Sequence, residues 1–150
     1  MPQSLADILL HIVFSTKGRH PWILPEIEQE LYRYLGAICQ ERGCHILEIG
    51  GVADHIHLLI SFGRSVTVSQ LILDMKANSS RWIKTKGVGY KEFSWQRGYG
   101  IFSVARSSVN SVVKYISTQK EHHKKMSYKE ELLAMLKRAQ IKFDEQFLWD

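Results

Sequence analysis

Four short segments of the chain carry the apolar pattern of β-strands. The first, Ile8–Phe14, is almost continuously apolar and contains β-branched residues, which predicts a strand buried on both faces. In the third segment Ile56, Leu58 and Ile60 alternate with other residues and therefore share one face of a strand. The four predicted strands are Ile8–Phe14, His45–Ile49, His55–Ser61 and Tyr99–Val104.

Between and after these strands, apolar residues recur every three or four positions, which predicts helices. Pro25 opens the first helix, and Gly43 is a stop signal beyond its end. Thr67 and Gln70 have the spacing of a capping box at the start of a second helix. A third and a fourth helix are predicted over residues 107–123 and about 128–140.

The order of these elements is β-α-β-β-α-β, followed by two further helices. The first six elements match the split βαβ pattern of a ferredoxin-like sandwich, with an antiparallel sheet and both main helices on one side. We therefore expect an α+β fold, with the third helix and a short extra helix added at the C-terminus. Residues 1–125 are expected to form the main domain, and residues 126–150 a helical extension of it.

The composition is that of an ordinary globular domain of 150 residues, with 45% hydrophobic and 23% charged residues. These values exclude a disordered, collagen-like or coiled-coil chain. The apolar runs are too short to cross a bilayer, so we expect no membrane partner. The two cysteines do not form a CxxC motif, so we expect no disulfide framework and a cytoplasmic location.

The net charge of +5 is unevenly distributed along the chain. Residues 1–60 contain 4 basic and 7 acidic residues, a net charge of −3. Residues 61–125 contain 12 basic and 3 acidic residues, a net charge of +9, whereas residues 126–150 carry −1. The basic middle segment is either a solvated surface or a binding surface for phosphates.

His55 and His57 are a candidate metal-ligand pair. Residues two apart in a strand point to the same face, with Cα atoms ~6.6 Å apart, so two imidazoles can converge on one cation. Because Ile56, Leu58 and Ile60 point toward the helices, we expect the histidines on the opposite, open face of the sheet. Asp54 could orient one of them. The alternative is a pair of surface histidines without a ligand.

Tyr115 and Gln119 are the second candidate pair, four residues apart on the predicted third helix and away from its apolar stripe. A phenol with a pKa of ~10 is a poor nucleophile, but it can attack a phosphodiester that a divalent cation polarises. With the two histidines, the Gln119 amide oxygen would complete a site suited to Mg²⁺ or Mn²⁺. The alternative is a border tyrosine with a solvated hydroxyl.

Basic and aromatic residues are interleaved between positions 81 and 99. Lysine and arginine neutralise phosphates, and aromatic rings stack on unpaired bases, although the aromatic residues could instead hold their loop in place. The cations of His122–Lys125 are accounted for by the end of a helix, and a metal role for His122 ranks below that of Gln119. The candidate DNA-binding residues, including two in an early polar loop, are Lys17, Arg19, Lys84, Lys86, Tyr90, Trp95 and Arg97.

Several stretches in this order and spacing resemble the single-tyrosine HUH transposases of bacterial insertion sequences, including the REP-associated tyrosine transposases. These stretches are Phe14–Arg19, Asp54–Leu59, Trp95–Gly100 and Tyr115–Gln119 with His122-His123. The resemblance implies that residues 1–125 are a catalytic domain in which His55, His57 and Gln119 bind the metal and Tyr115 is the nucleophile.

The resemblance also implies the reaction and its partners. Members act on single-stranded hairpin DNA, form a 5′-phosphotyrosine link, release a 3′-OH and rejoin strands without an external energy source. They are homodimers whose sheets meet, and in many the tyrosine helix of one subunit completes the histidine site of the other.

Two other functions compete with this prediction. The first is a non-catalytic ferredoxin-like nucleic-acid-binding module, which should show aromatic residues on the open face of the sheet rather than two histidines. The second is a metal hydrolase without a covalent intermediate.

Overall fold

Four strands form one antiparallel sheet in the order β2-β3-β1-β4 in the computed structural model, which describes residues 3–149. The third predicted strand has the observed bounds, and the others differ by one to three residues at an end. This strand order and the element order confirm the predicted ferredoxin-like arrangement. The strands are β1 (Leu9–Ser15), β2 (His45–Val52), β3 (His55–Ser61) and β4 (Gly100–Ser103).

Six α-helices accompany the sheet within residues 3–149. The predicted cap of the second helix is present, because the Thr67 side chain accepts a hydrogen bond from the Gln70 amide. The first helix starts at Pro25, whose missing N–H costs nothing in the first turn. The helices are α1 (Pro25–Glu41), α2 (Val68–Lys84), α3 (Val109–Ser117), α4 (Gln119–His122), α5 (Tyr128–Arg138) and α6 (Glu145–Leu148).

The main core lies between the sheet and the α1/α2 layer. Alternate residues of β1 and β3 point into it and are fully buried, as the strand pattern predicts. Burial of each large apolar side chain in this core stabilises the fold by ~1.5–3 kcal/mol. The residues in between, including Val13 and both candidate histidines, point to the opposite face. The sheet residues of this core include Ile12, Phe14, Ile56, Leu58 and Ile60.

The face that we expected to be open is covered, so this expectation was wrong. Helix α5 packs Tyr128, Leu132 and Leu136 against Val13 of β1. These three residues recur every four positions, so they form an apolar stripe that has to be buried, and the second sheet face provides the partner surface. The histidine side chains on this face are therefore buried rather than exposed.

The single helix predicted over residues 107–123 is also wrong, because it is divided at Thr118. This residue has a non-helical backbone (φ −108°, ψ 23°) and separates α3 from α4. Its hydroxyl donates to the Lys114 carbonyl oxygen at 2.8 Å, a side-chain bond that competes with regular helix geometry. Gln119 is the first residue of α4 and is buried, so it points toward the sheet.

Gly50 of β2 allows α3 to lie close to the sheet. A Cβ atom at this position would come within 2.3 Å of the Ile116 carbonyl oxygen, which is closer than any side chain tolerates. The glycine therefore sets the distance between β2 and the helix that carries Tyr115.

Two further expectations concern the whole chain. Cys39 and Cys44 are both free and buried. Within residues 3–149, the helices are all too short or too polar to cross a bilayer.

Candidate active site

The two histidines of β3 lie side by side on the second face of the sheet, and each is oriented through its Nδ1 atom. His55 Nδ1 donates to Asp54 Oδ1 at 2.7 Å, so Asp54 holds this ring as the sequence suggested. His57 Nδ1 lies 2.8 Å from Nε2 of His11, a buried histidine of β1. With the Nδ1 atoms engaged, the Nε2 atoms of both rings are directed into the space under α5.

A carboxylate of α5 and a third imidazole occupy that space. Glu131 Oε1 lies 2.9 Å from His57 Nε2, 3.3 Å from His55 Nε2 and 3.1 Å from His123 Nε2. One ligand atom from each of these four residues lies within 4.8 Å of the others. The group could therefore hold a metal ion.

The structure brings Tyr115 and Gln119 to the same carboxylate. The Tyr115 hydroxyl donates to Glu131 Oε2, and the Gln119 amide nitrogen lies 3.1 Å from the same oxygen. The amide oxygen of Gln119 is 3.1 Å from His55 Nε2. The two residue pairs singled out in the sequence therefore form one cluster.

Charge in this cluster is balanced between carboxylates and imidazoles. Burial opposes ionisation of Glu131, but hydrogen bonds from His123, His55 and His57 outweigh it and hold the pKa of this carboxyl far below its usual range. Burial also opposes a charge on His55, but the hydrogen bonds to Asp54 and Glu131 raise the pKa of this imidazole to about 9. Positive charge is thus favoured at the centre of the cluster, and a bound cation would supply it.

The neighbouring groups are kept neutral by burial. Burial lowers the pKa of His57 and lowers that of His11 to about 3. Burial raises the pKa of the Tyr115 phenol, and its hydrogen bond to Glu131 raises it further. Around neutral pH the chain therefore presents neutral imidazoles of His11 and His57 and a protonated phenol.

A groove of about 470 Å³ opens beside Tyr115 and leads to the surface. Its lining includes the basic residues Lys124, Lys125 and Arg138, and the His122 ring lies over the tyrosine ring with centroids 4.7 Å apart. A phosphodiester can approach the phenol along such a groove, because the cations neutralise its charge.

Comparison with known proteins identifies the family. The family model of IS200-like transposases matches residues 4–119, about three quarters of the chain. The chain belongs to the IS200-like transposase family. The match ends at Gln119, so the C-terminal segment with His123 and Glu131 lies beyond it.

Two curated relatives are similar to this transposase over most of their length. The transposase of insertion sequence element IS200 from Salmonella typhimurium is 30% identical over 120 residues, covering 76% of this chain and 78% of the relative. The ISDra2 transposase TnpA from Deinococcus radiodurans is 25% identical over 114 residues, covering 73% and 81% respectively.

Solved structures share the fold. A candidate transposase from Deinococcus radiodurans R1 superimposes with a TM-score of 0.62 at 20% identity, covering 79% of this chain and 98% of its own. A REP-associated tyrosine transposase bound to a REP hairpin gives the same TM-score at 14% identity, covering 82% of this chain and 72% of its own.

Three of the candidate DNA-binding residues lie around the loops at the end of β1, close to the histidine pair. Lys17 and Arg97 line a second groove, of about 490 Å³, and the Thr16 amide next to Lys17 donates to the Asp54 carbonyl oxygen at 2.9 Å. Arg19 donates to the Trp149 carbonyl oxygen at 3.1 Å. These loops connect one basic patch directly to the segment that carries His55.

The other candidate DNA-binding residues are placed differently. Lys84 and Lys86 lie at the end of α2, in the layer on the other side of the sheet, and Lys86 pairs with Glu30 at 2.7 Å. Tyr90 and Trp95 are buried, with hydrogen bonds to Glu26 and Ser79, so they hold their loop in place. Their rings are not free to stack on bases as we had expected.

Sequence reasoning missed three residues of the cluster. His11 lies within an apolar run, where a histidine is a weak signal. His123 was assigned to the end of a helix, and Glu131 lies in the first turn of α5, where a carboxylate is common for electrostatic reasons. Lys124, Lys125 and Arg138 beside the phenol were likewise not assigned to DNA. Their shared location becomes visible only once α5 is seen to pack on the sheet.

Proposed function

We propose that this transposase cleaves and rejoins single-stranded hairpin DNA through a 5′-phosphotyrosine intermediate on Tyr115, with a divalent metal ion. One observation carries the proposal: the phenol of Tyr115 and the ring nitrogens of His55 and His57 meet at one buried carboxylate within a single chain. A relative in fold, the REP-associated tyrosine transposase, is bound to a REP hairpin, which supports the choice of a hairpin substrate.

The reaction exchanges one phosphodiester for another. The Tyr115 oxygen attacks the scissile phosphorus and forms a phosphorus–oxygen bond, while the bond from phosphorus to the 3′-oxygen breaks. The phenol releases its proton to water and the departing 3′-oxygen takes one up from water to become a 3′-OH, so no net proton is gained or lost. Attack by a 3′-OH reverses these steps and joins strands, so no external energy source is needed.

The residues fit a divalent ion. His55 and His57 present imidazole nitrogens, and the Gln119 amide oxygen lies close enough to act as a third ligand for Mg²⁺ or Mn²⁺. When bound, such an ion polarises the scissile phosphate and stabilises the leaving oxygen. Asp54 and His11 fix the two rings through their Nδ1 atoms, so the ligand atoms are oriented before an ion arrives.

Two basic surfaces near the cluster offer cations that can neutralise the phosphates of a DNA backbone. Lys124, Lys125 and Arg138 line the groove beside the phenol, and Lys17 and Arg97 line the groove beside the loop after β1. All but Lys17 and Arg138 belong to the basic segment 61–125 found in the sequence.

Replacement of Tyr115 by phenylalanine tests the proposal. The substrates are single-stranded oligonucleotides that span hairpins in the DNA flanking the coding sequence. With Mn²⁺, the wild-type chain should form a covalent adduct that survives a denaturing gel, and Tyr115→Phe should form none because it lacks the nucleophilic oxygen. DNA binding, measured by fluorescence anisotropy, should change less than about twofold.

Tyr99→Phe is the matched control, because Tyr99 is exposed and outside the cluster, and it should form the adduct normally. An adduct that persists in Tyr115→Phe contradicts the proposal. So does DNA cleavage without any adduct, which would favour a metal hydrolase.

A further inference from the structure

Glu131 contacts both halves of the cluster with its two carboxylate oxygens. Its Oε1 atom faces the Nε2 atoms of three histidines, and its Oε2 atom accepts the hydrogen bond of the Tyr115 phenol. The side chain is 2% exposed. This residue lies in α5, outside the segment that matches the family model, and neither of the two sequence motifs includes it.

Packing does not explain a carboxylate at this position. Leu132 and Leu136 of the same helix already fill the contact with the sheet, and burying a carboxylate is costly unless charged or hydrogen-bonding partners compensate. Here all the partners are functional groups of the cluster. Glu131 therefore has a role at the centre itself rather than in attaching the helix.

The distances match a metal site made of four protein ligands. In a tetrahedral site with bonds of ~2.0–2.1 Å, neighbouring ligand atoms lie ~3.4 Å apart. Glu131 Oε1 is 2.9–3.3 Å from the Nε2 atoms of His55, His57 and His123, and all four ligand atoms lie within 4.8 Å of one another, so small side-chain shifts would place them around one ion. Three imidazoles and one carboxylate suit divalent transition metals, whereas Mg²⁺ requires an octahedral shell of oxygens.

We propose that Glu131 and His123 join His55 and His57 as ligands of a divalent transition-metal ion, which can expand to take a phosphate oxygen as a fifth ligand. Gln119 then orients Glu131 through its amide nitrogen instead of binding the ion, and the second oxygen of Glu131 holds the Tyr115 phenol against this centre. Helix α5 is then part of the catalytic centre, and metal binding and nucleophile placement depend on one side chain. The proposal rests on the function assigned above, in which Tyr115 is the nucleophile.

Metal titration without DNA tests the ligand set. Isothermal titration calorimetry on the full chain should show one site for Mn²⁺ or Zn²⁺ and much weaker binding of Mg²⁺. Glu131→Gln and His123→Ala should each weaken the transition-metal site by at least ~10–100-fold, the range seen even for residues that only orient ligands. Glu145→Gln and His45→Ala replace exposed residues of the same types and should bind as the wild type does.

Two results of this titration would overturn the ligand assignment. One is an unchanged affinity in both Glu131→Gln and His123→Ala, with folding verified by circular dichroism. The other is Mg²⁺ binding as tight as that of Mn²⁺ and Zn²⁺. Because two different ligands are replaced, the result does not depend on either variant alone.

Tyrosine NMR tests the link to the nucleophile. In protein labelled with ¹³C at the tyrosine ζ carbon, the resonance absent from Tyr115→Phe belongs to Tyr115. Zn²⁺, which is diamagnetic, should shift this resonance in the wild type, and the shift should be lost in Glu131→Gln even at metal concentrations that saturate the variant. An equal shift in both proteins would show that Glu131 does not connect the phenol to the metal.

The adduct assay separates failure of this inference from failure of the proposed function. An adduct in Tyr115→Phe would contradict the proposed function, whatever the role of Glu131. A different outcome contradicts only the ligand assignment: Tyr115→Phe forms no adduct, while Glu131→Gln and His123→Ala bind metal as the wild type does. The role of Tyr115 as nucleophile would then still hold.

Discussion

At the scale of single residues, the histidine pair is held by partners that differ in chemistry. Asp54 is a carboxylate that favours positive charge on His55, whereas His11 is a neutral imidazole beside His57. The two rings therefore differ in charge before any ion binds. His57, whose pKa is lowered by burial, already presents a neutral nitrogen.

His57→Ala should therefore remove adduct formation while leaving the chain folded. This variant loses a ligand nitrogen and leaves a cavity, so the unfolding free energy should fall by about 1–3 kcal/mol. EDTA should abolish adduct formation in the wild type and added Mn²⁺ should restore it, as followed on denaturing gels. Undiminished adduct formation in EDTA would contradict the role of the metal.

The sequence predicted those features of the site that depend on residues close together in the chain. The period of a strand places His55 and His57 on one face, and a helix brings residues four apart, such as Tyr115 and Gln119, close together. Glu131 and His11 could not be predicted in the same way. Their roles depend on contacts across 74 and 46 positions of the chain, which no local spacing determines.

At the scale of elements, the placement of α3 determines where the nucleophile lies. This helix rests on β2 at Gly50, and the helix break at Thr118 then turns Gln119 toward β3. The strand pattern gave the sheet and its buried side correctly, because that pattern depends on local alternation. The covered second face was not predictable from the strands, because it depends on where α5 packs.

Gly50→Ala tests the placement of α3. The added methyl group would collide with the Ile116 carbonyl, so α3 must shift together with Tyr115. We expect a loss of about 1–3 kcal/mol in unfolding free energy and a clearly slower formation of the adduct. Denaturant melts and the gel assay measure both effects.

Gly36→Ala is the control for this substitution. Gly36 lies within α1 and has free space around its Cα, so alanine there should stabilise the chain by about 0.5–1 kcal/mol and leave the adduct rate unchanged. A Gly50→Ala variant with wild-type stability and adduct rate would show that the contact does not position the helix.

At the scale of the whole molecule, the basic segment of the sequence is divided between two sides of the sheet. Arg97 of this segment lies near the histidine pair, next to Lys17 from outside it, whereas Lys86 lies on the far layer and is paired with Glu30. A net charge of +9 over residues 61–125 indicated a phosphate-binding surface but not which cations form it. Only the fold shows on which side of the sheet each of these cations lies.

The salt dependence of DNA binding should distinguish these cations. Lys17→Gln and Arg97→Gln should each lower the slope of log binding constant against log salt by about one, because each removes one phosphate contact. Lys86→Gln should leave the slope nearly unchanged. Equal effects of all three substitutions would indicate a generally basic surface rather than a binding site formed by the cations near the histidine pair.

The structure places a complete cluster in one chain, whereas the resemblance left open whether the tyrosine acts within its own subunit or in a partner. Mixing His57→Ala with Tyr115→Phe decides between these arrangements. If each chain uses its own tyrosine, the mixture should form no adduct after refolding together. Recovery of substantial adduct would show that the tyrosine of one subunit serves the histidines of its partner.

In the proposed reaction the Tyr115 oxygen becomes bonded to a DNA phosphate. Mass spectrometry of the protease-digested adduct tests it most directly, because fragmentation locates the attached nucleotide on the peptide. We expect a 5′-phosphate-linked nucleotide on Tyr115 and an unmodified Tyr99. A nucleotide on any other residue, or cleaved DNA with no modified peptide, would contradict it.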